Sequence, residues 1–271
     1  MLDIPRILAG LVLSSLIGGI GYRRRALTGG GWLGAILTGT LTFGLGGWAW
    51  GLTLIAFFVT SSVLSRFHQA RKQQLAGEKF EKGGRRDLLQ ALANGGAGAL
   101  LALAYGLSGE PPALLAAFAG IMATVTADTW ATELGVLSPR PPRLVTTWRV
   151  VEPGTSGAVT MHGLAATAAG ALMIGVVVLA AEAIERGVWA PWLLGAALLG
   201  GVGGSLADSL LGATAQAIYR TPRGGETERR AAPGGMPNPR VRGWRWVNND
   251  MVNFLSSLLG GLIALGVWRL L

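Results

Sequence analysis

From Ile4 to the end of the chain the sequence is a succession of apolar runs, most near 20 residues, separated by short polar breaks. A helix needs about 20 mostly apolar residues to cross a bilayer, and only helices and closed barrels satisfy their backbone groups there. Runs of this length with 14% charged residues, against about 25% in soluble domains, predict an all-α, polytopic transmembrane helical bundle. The 43 glycines agree, because small residues let membrane helices approach closely. Residues 1–271 read as a single integral membrane domain. Eight spans are expected, within a range of six to eight, at about 4–20, 31–45, 47–65, 88–108, 113–137, 158–182, 190–218 and 249–270. Residues 31–65 are the ambiguous case. The run Trp32–Leu64 is broken only by Gly44-Leu45-Gly46-Gly47 and allows either a hairpin or one long tilted helix. The run after Arg6 has no small-residue cleavage site ahead of Arg23-Arg24-Arg25 and is taken as a retained span rather than a signal peptide.

Basic residues fix the count and the orientation. All but Arg6, Arg186 and Arg269 of the 23 basic residues fall in four segments, 21–30, 66–87, 138–157 and 219–248. Eight spans put all four on one side. Merging the second and third spans would move the first segment across. The positive-inside rule then makes the basic side cytoplasmic and puts both termini outside, in a cell (cytoplasmic) membrane protein. The long cytoplasmic loops 66–87 and 219–248 differ in character. The first is charged and expected to extend a helix out of the membrane. The second is rich in Gly, Pro and Arg, and its 220–247 stretch reads as mobile. The net charge of +9 is distributed for a membrane surface and anionic ligands, and nucleic acid is not an expected partner. Cysteine is absent, so disulfides and thiolate metal sites are excluded. His68 and His162, the two histidines, lack partners at zinc-ligand spacing, which argues against a zinc or Ser/His/Asp hydrolase.

Against this background, carboxylates inside apolar runs stand out. A charge at the bilayer centre costs about 2.5–3.5 kcal/mol on insertion scales, so such residues mark a pathway, a partner or a ligand. Asp128 and Glu133 close the run that begins near Ala113, in Thr126-Ala127-Asp128-Thr129-Trp130-Ala131-Thr132-Glu133. Five residues apart, they point about 140° from each other on a helix of ~100° per residue and do not share a ligand on a regular helix. A buried ion pair with an arginine is the plainer account of either. Asp208 lies within Gly203-Gly204-Ser205-Leu206-Ala207-Asp208-Ser209, where packing explains the glycines but not the acid. Ala127-Asp128-Thr129 and Ala207-Asp208-Ser209 echo each other over three residues, too few to establish duplicated halves. Asp250 and Asn253 open the last span behind Asn248-Asn249, one of which is expected to cap it. Asp87, Gln90 and Asn94 share one helical face after Lys82-Gly83-Gly84-Arg85-Arg86, although Asp87 also suits a helix N-terminus. Pro153-Gly154-Thr155-Ser156-Gly157 precedes another span. Its hydroxyls and N–H groups suit a phosphate, or Thr155 or Ser156 simply caps the helix; no Walker A pattern is present.

The set Glu81-Lys82-Gly83 with Arg86-Asp87, Gln90 to Gly95, Ala127 to Gly135, Pro153 to Gly157, Gly204 to Thr214 and Asn249 to Asn253, in that order, resembles the integral-membrane family containing plant and cyanobacterial phytyl-phosphate kinase and the animal transmembrane protein 19. The resemblance covers the chain from about residue 78 onward. The first three spans match only in character. It implies phosphoryl transfer from a nucleoside triphosphate, CTP foremost, to an isoprenyl (phytyl, geranylgeranyl or farnesyl) monophosphate, as in phytol salvage toward tocopherol.

The residues are assigned to that chemistry as follows. Asp128, Asp208 and Asp250, with Asp87, are expected to hold Mg²⁺, a cation that favours one or two carboxylates plus water and substrate phosphate. Asn94, Asn253 and Glu133 support them in catalysis. Lys82, Arg85, Arg86 and Arg149 are expected to neutralise phosphate oxygens, and Thr155, Ser156 and Ser209 to bind phosphate, all at the cytoplasmic face beside the bilayer. Two rivals remain open from the residues alone: an ion-coupled transporter, which also needs intramembrane carboxylates, and a CTP-dependent lipid cytidylyltransferase.

Overall fold

The computed structural model describes residues 3–80 and 84–270. Among these residues eight long helices form the bundle. The first is α1 (Ile4–Arg23), begun by Pro5 and by Asp3, whose carboxylate accepts from Arg6 N at 3.0 Å. Thr28 caps α2 (Gly29–Gly46), accepting from Gly31 N at 3.0 Å. The ambiguous apolar run is two helices: Gly47, at φ 91°, separates α2 from α3 (Trp48–Arg66) in a left-handed conformation open mainly to glycine. Glu185 completes that break from a distant helix, accepting from Trp48 N at 3.0 Å and Ala49 N at 2.9 Å and so neutralising orphan donors at the start of α3.

Segment 66–87 does not extend α3. The helix stops at Arg66, His68 turns the chain at φ 49°, and a separate eight-residue helix, α4 (Gln69–Ala76), follows. The remaining spans are α5 (Leu88–Leu107), α6 (Pro112–Gly135), α7 (Met161–Arg186), α8 (Trp192–Thr214) and α9 (Asn249–Leu270). Among the described residues seven helices are long and apolar enough to cross a membrane, all the long ones except the glycine-rich α2.

α6 is the hub. It is buried continuously from Leu115 to Ala127, whereas α1 shows most of its length outward through Leu8, Leu11, Val12, Leu16 and Ile20. Trp50 of α3 stacks on Phe118 of α6 with centroids 4.1 Å apart and tilts against Tyr105 of α5 at 4.7 Å, forming the aromatic centre of the core.

The four basic segments meet at one end of the bundle. Arg86 N donates to Ala26 O and Thr28 N to Arg86 O, both at 2.9 Å, so the α1–α2 connection is stitched to the start of α5. Thr227 Oγ1 donates to Glu78 O at 2.8 Å and Glu228 N to Lys79 O at 2.8 Å, joining segments 66–87 and 219–248. The latter is not the mobile loop its composition predicts. It forms an antiparallel sheet in the order β4-β3-β5 from β3 (Ile218–Arg220), β4 (Glu226–Thr227) and β5 (Arg240–Arg242), whose first strand cuts the predicted 190–218 span short. A second ribbon pairs β1 (Arg143–Leu144) with β2 (Ala158–Val159). At the opposite end Arg186 bridges to Glu110 at 2.7 Å.

Candidate functional site

The site begins with glycines. Where α6, α8 and α9 cross, a Cβ on Gly204 would sit 2.2 Å from Thr124 Oγ1, one on Gly260 1.9 Å from the same atom, and one on Gly120 2.4 Å from Gly260 O. The backbones therefore touch, and Thr124 Oγ1 fills the contact by donating to Gly120 O at 2.9 Å or Gly200 O at 3.1 Å. One turn along α6 from Thr124 stands Asp128. One turn along α8 from Gly204 stands Asp208. The close crossing brings the two carboxyl groups beside each other. Ser256, one turn before Gly260 on α9, donates to Asp208 Oδ2 at 2.9 Å. Like charges at that separation repel, so a proton or a cation must lie with the pair.

Above the pair opens a cavity of about 600 Å³. Its walls carry Asn94 from α5, Thr132 and Glu133 from α6, Ser205 and Ser209 from α8, and Asp250 and Asn253 from α9. Asp250 is 8% exposed and sits in the first turn of α9, which Asn248 caps by accepting from Met251 N at 3.0 Å. Glu133, on the cavity wall, is ion-paired with a lysine where an arginine is expected from the sequence: Lys72 of α4 donates to it, as does Ser65 Oγ at 2.5 Å.

The roof of the cavity is the 153–157 turn. Thr155 and Ser156 line it, but neither caps α7; Thr160 does, accepting from Gly163 N at 2.9 Å, and β2 lies between. What holds the turn is backbone shape. Gly157 has φ 80°, and a Cβ there would lie 2.4 Å from Ala213 N at the end of α8. Ser156 Oγ donates to Glu228 Oε1 at 2.8 Å, and Gln216 Nε2 donates to the same oxygen at 2.9 Å. Arg242 closes the α8 terminus, donating from Nη1 to Gly212 O at 2.8 Å and Ala213 O at 2.9 Å. Burial pulls its guanidinium below the ordinary arginine value, opposed by Glu226 and Glu228.

The cationic side is narrower than the sequence predicts. Arg86 lines the cavity, with Nη1 donating to Ser62 Oγ at 3.2 Å; burial lowers its pKa, and the charge of Glu133 opposes the shift. Lys72, Arg140 and Arg229 line it as well. Arg229 is pinned by its own donations to Phe80 O at 2.9 Å and Gly77 O at 2.8 Å. Three predicted residues stand elsewhere. Arg85 donates to Leu27 O at 3.0 Å and faces the Tyr22 ring, away from the cavity. Arg149 is exposed on the β1–β2 connection. Asp87 caps α5 in a reciprocal box with Gln90, at 2.9 and 3.1 Å, and does not line the cavity. Lys82, with Glu81 and Gly83, lies outside the described residues.

The donor set can be tested against a divalent cation. Among the described residues no three Asp, Glu or His side chains converge as an all-protein cage. A buried carboxylate pair beside Asn94, Asn253 and Asp250, with room for phosphate, instead fits Mg²⁺, which keeps water and substrate oxygens in its shell. Sequence reasoning missed Lys72, Gln216 and Glu228. One signal for the last was available: Glu226 and Glu228 are the only acids in the otherwise basic 219–248 loop.

Comparison with known proteins adds three kinds of finding. The family profile described as integral membrane protein DUF92 matches residues 12–261. The chain is 34% identical to Protein PGR of Arabidopsis thaliana, over 96% of this chain and 95% of that one. It is 31% identical to an uncharacterized membrane protein of Methanocaldococcus jannaschii, over 91% and 87%, and 26% identical to Protein VTE6, chloroplastic, of Arabidopsis thaliana, over 88% and 64%. No solved structure matches.

Proposed function

Because this chain belongs to the DUF92 family of integral membrane proteins, we propose, from that membership and from its site, that it is a prenyl-phosphate kinase. It transfers the γ-phosphoryl group of a nucleoside triphosphate, CTP foremost, to an isoprenyl monophosphate. The observation that carries the reading is the Asp128–Asp208 contact at the base of a cavity that also holds Arg86 and Lys72. Acidic groups for a metal and basic groups for phosphate meet in one chamber beside the lipid.

An oxygen of the acceptor monophosphate attacks the γ-phosphorus, the bond from that phosphorus to the β-bridging oxygen breaks, and the nucleoside diphosphate leaves with the bond's electrons. The acceptor's second ionisation lies near pH ~6, so it is already anionic at neutral pH and no strong base is required. Such transfer needs mainly positioning and neutralisation of charge. Bound Mg²⁺ supplies electrostatic stabilisation of the phosphate oxygens. Asp128 and Asp208 would hold it, with Asn94 and Asn253 on the same cavity wall as neutral oxygen donors, whereas Asp250, expected from the sequence to share the ion, does not converge with the pair. Arg86 and Lys72 neutralise phosphate oxygens, and the 153–157 turn orients them through Thr155 and Ser156, with Ser209 below.

Depth argues against the transporter reading. Asp128 is seven residues from the end of α6, about 10 Å at 1.5 Å per residue. Beneath it Thr124, Gly204 and Gly260 are packed in contact. A transport route needs a site near the midplane.

The test is purified protein with Mg²⁺, CTP and farnesyl, geranylgeranyl or phytyl monophosphate, with products separated by mass. Prenyl diphosphate with nucleoside diphosphate is expected. Pyrophosphate with a CDP-lipid would make it a cytidylyltransferase. No turnover with any nucleoside triphosphate would return the weight to transport.

A further inference from the structure

A second cavity lies between α1, α2, α3 and α5 and is almost wholly apolar. Leu13 and Ile17 of α1, Ala35 of α2, and Leu54, Ile55 and Phe58 of α3 form its walls. On α1 and α2 it extends from Gly18 to Gly10 and from Ala35 to Phe43, eight residues each, or about 12 Å at 1.5 Å per residue. Its volume is only about 90 Å³. Its lining offers a charged headgroup no charged partner along that length.

Three residues line both this slot and the polar cavity: Arg86, Gln90 and Asn94. Arg86 and Asn94 bring polar side chains to that boundary, the neck where the two spaces meet, while the Gln90 amide accepts from Asp87 N at 3.1 Å. We infer that the slot holds the isoprenoid tail of the phosphorylated lipid, with its phosphate at Arg86; the inference rests on the kinase reading and deepens it. A prenyl monophosphate has the same division as the neck, a dianionic head on a methyl-branched apolar chain. Burying the tail contributes about 25 cal/mol per Å² of apolar surface removed from water. Arg86, held by Ser62 on one side, is the cation at the division. The neighbouring α1 shows a continuous apolar face, Leu8 to Ile20, to the surroundings, so the slot stands one helix away from lipid. The nucleotide then occupies the larger cavity on the far side of Arg86, and the two substrates approach from opposite ends.

The test uses the full-length protein in nanodiscs and farnesyl monophosphate carrying a photoreactive diazirine at the end of its tail. After irradiation and trypsin, labelling is expected in peptides 7–23 and 26–66, which carry α1 and α2–α3. It should be competed by unlabelled farnesyl monophosphate and not by farnesol or phospholipid. Labelling of α7, α8 or α9 instead, or equal competition by farnesol, would overturn the inference. Ala35→Trp and Ile55→Trp, which fill the slot, are expected to raise KM for geranylgeranyl monophosphate at least 10-fold more than KM for isopentenyl monophosphate. An unchanged KM in both folded variants would also overturn it. The two readings separate cleanly. Competed slot labelling in a protein that makes no diphosphate keeps the slot and removes the kinase; diphosphate product with labelling confined to α7–α9 does the reverse.

Discussion

Asp128 and Asp208 meet one helical turn from the point where Thr124 packs against Gly204. Their contact is therefore a product of backbone proximity: side chains four residues past a glycine-mediated crossing of two parallel helices face the same point. If the pair holds the cation, Asp128→Asn and Asp208→Asn should each lower kcat by about 10²-fold or more. Without Mg²⁺ the same variants should melt no lower than the parent, because one of two repelling charges is gone. Steady-state kinetics across a Mg²⁺ titration, with melting followed in detergent, checks both. Asp128→Asn with unaltered turnover would remove it from the site.

The crossing itself is the second prediction. Gly260→Ala and Gly204→Ala force a methyl group against Thr124 Oγ1, and overpacking of this kind costs typically 1–3 kcal/mol. Both should lower the melting temperature and separate the two carboxylates, with activity falling by more than the folded fraction does. Gly266→Ala on the same helix, where nothing lies within 4 Å, serves as the control and should match the parent.

Gly157 tests the turn above the pair. Its φ of 80° costs an L side chain roughly 1–2 kcal/mol, and the added methyl would meet the backbone of Ala213. Gly157→Ala should therefore displace Thr155 and Ser156, raising KM for the nucleotide about 10-fold at a smaller cost to kcat, as expected when an interaction common to ground and transition states is lost. Initial-rate measurements at saturating lipid phosphate separate the two constants.

Arg229 ties the 219–248 segment to the end of α4 through two carbonyl groups, Gly77 O and Phe80 O. Arg229→Ala should free Glu228 and the β-sheet without touching the helices. Limited trypsin digestion should then cut near Arg220 to Arg230 faster than in the parent, by about 10-fold if roughly 1.4 kcal/mol of holding energy is lost. An unchanged cleavage rate would mean that the strand pairing alone holds the segment.

The helices and the acidic pair were legible for a shared reason: apolar length and misplaced charge are local signals. The spans at 88–108, 113–137 and 249–270 lie within two residues of α5, α6 and α9. Asp128 and Asp208 were conspicuous because nothing else in their apolar runs needs a carboxylate. What stayed illegible is decided between distant segments. Gly and Pro in 219–248 read as mobility, yet they supply the turns of a small sheet whose partners, Glu78, Lys79 and Phe80, are some 150 residues earlier. Arg85 and Arg86 are indistinguishable in the sequence. Pairing of the Arg86 backbone with Ala26 and Thr28 turns one side chain inward and the other out. The three-residue echo around Asp128 and Asp208, too short to count as a repeat, belongs to the two residues that touch.

The hydrogen bonds from Arg86 N to Ala26 O and from Thr28 N to Arg86 O carry a consequence for any attempt to graft this site. Every recognisable motif lies after residue 78, which invites treating the first helical hairpin as a replaceable anchor. Yet those two bonds set the direction in which the Arg86 side chain points. A chimera with a foreign hairpin would inherit all the acidic residues and lose the aim of its principal cation.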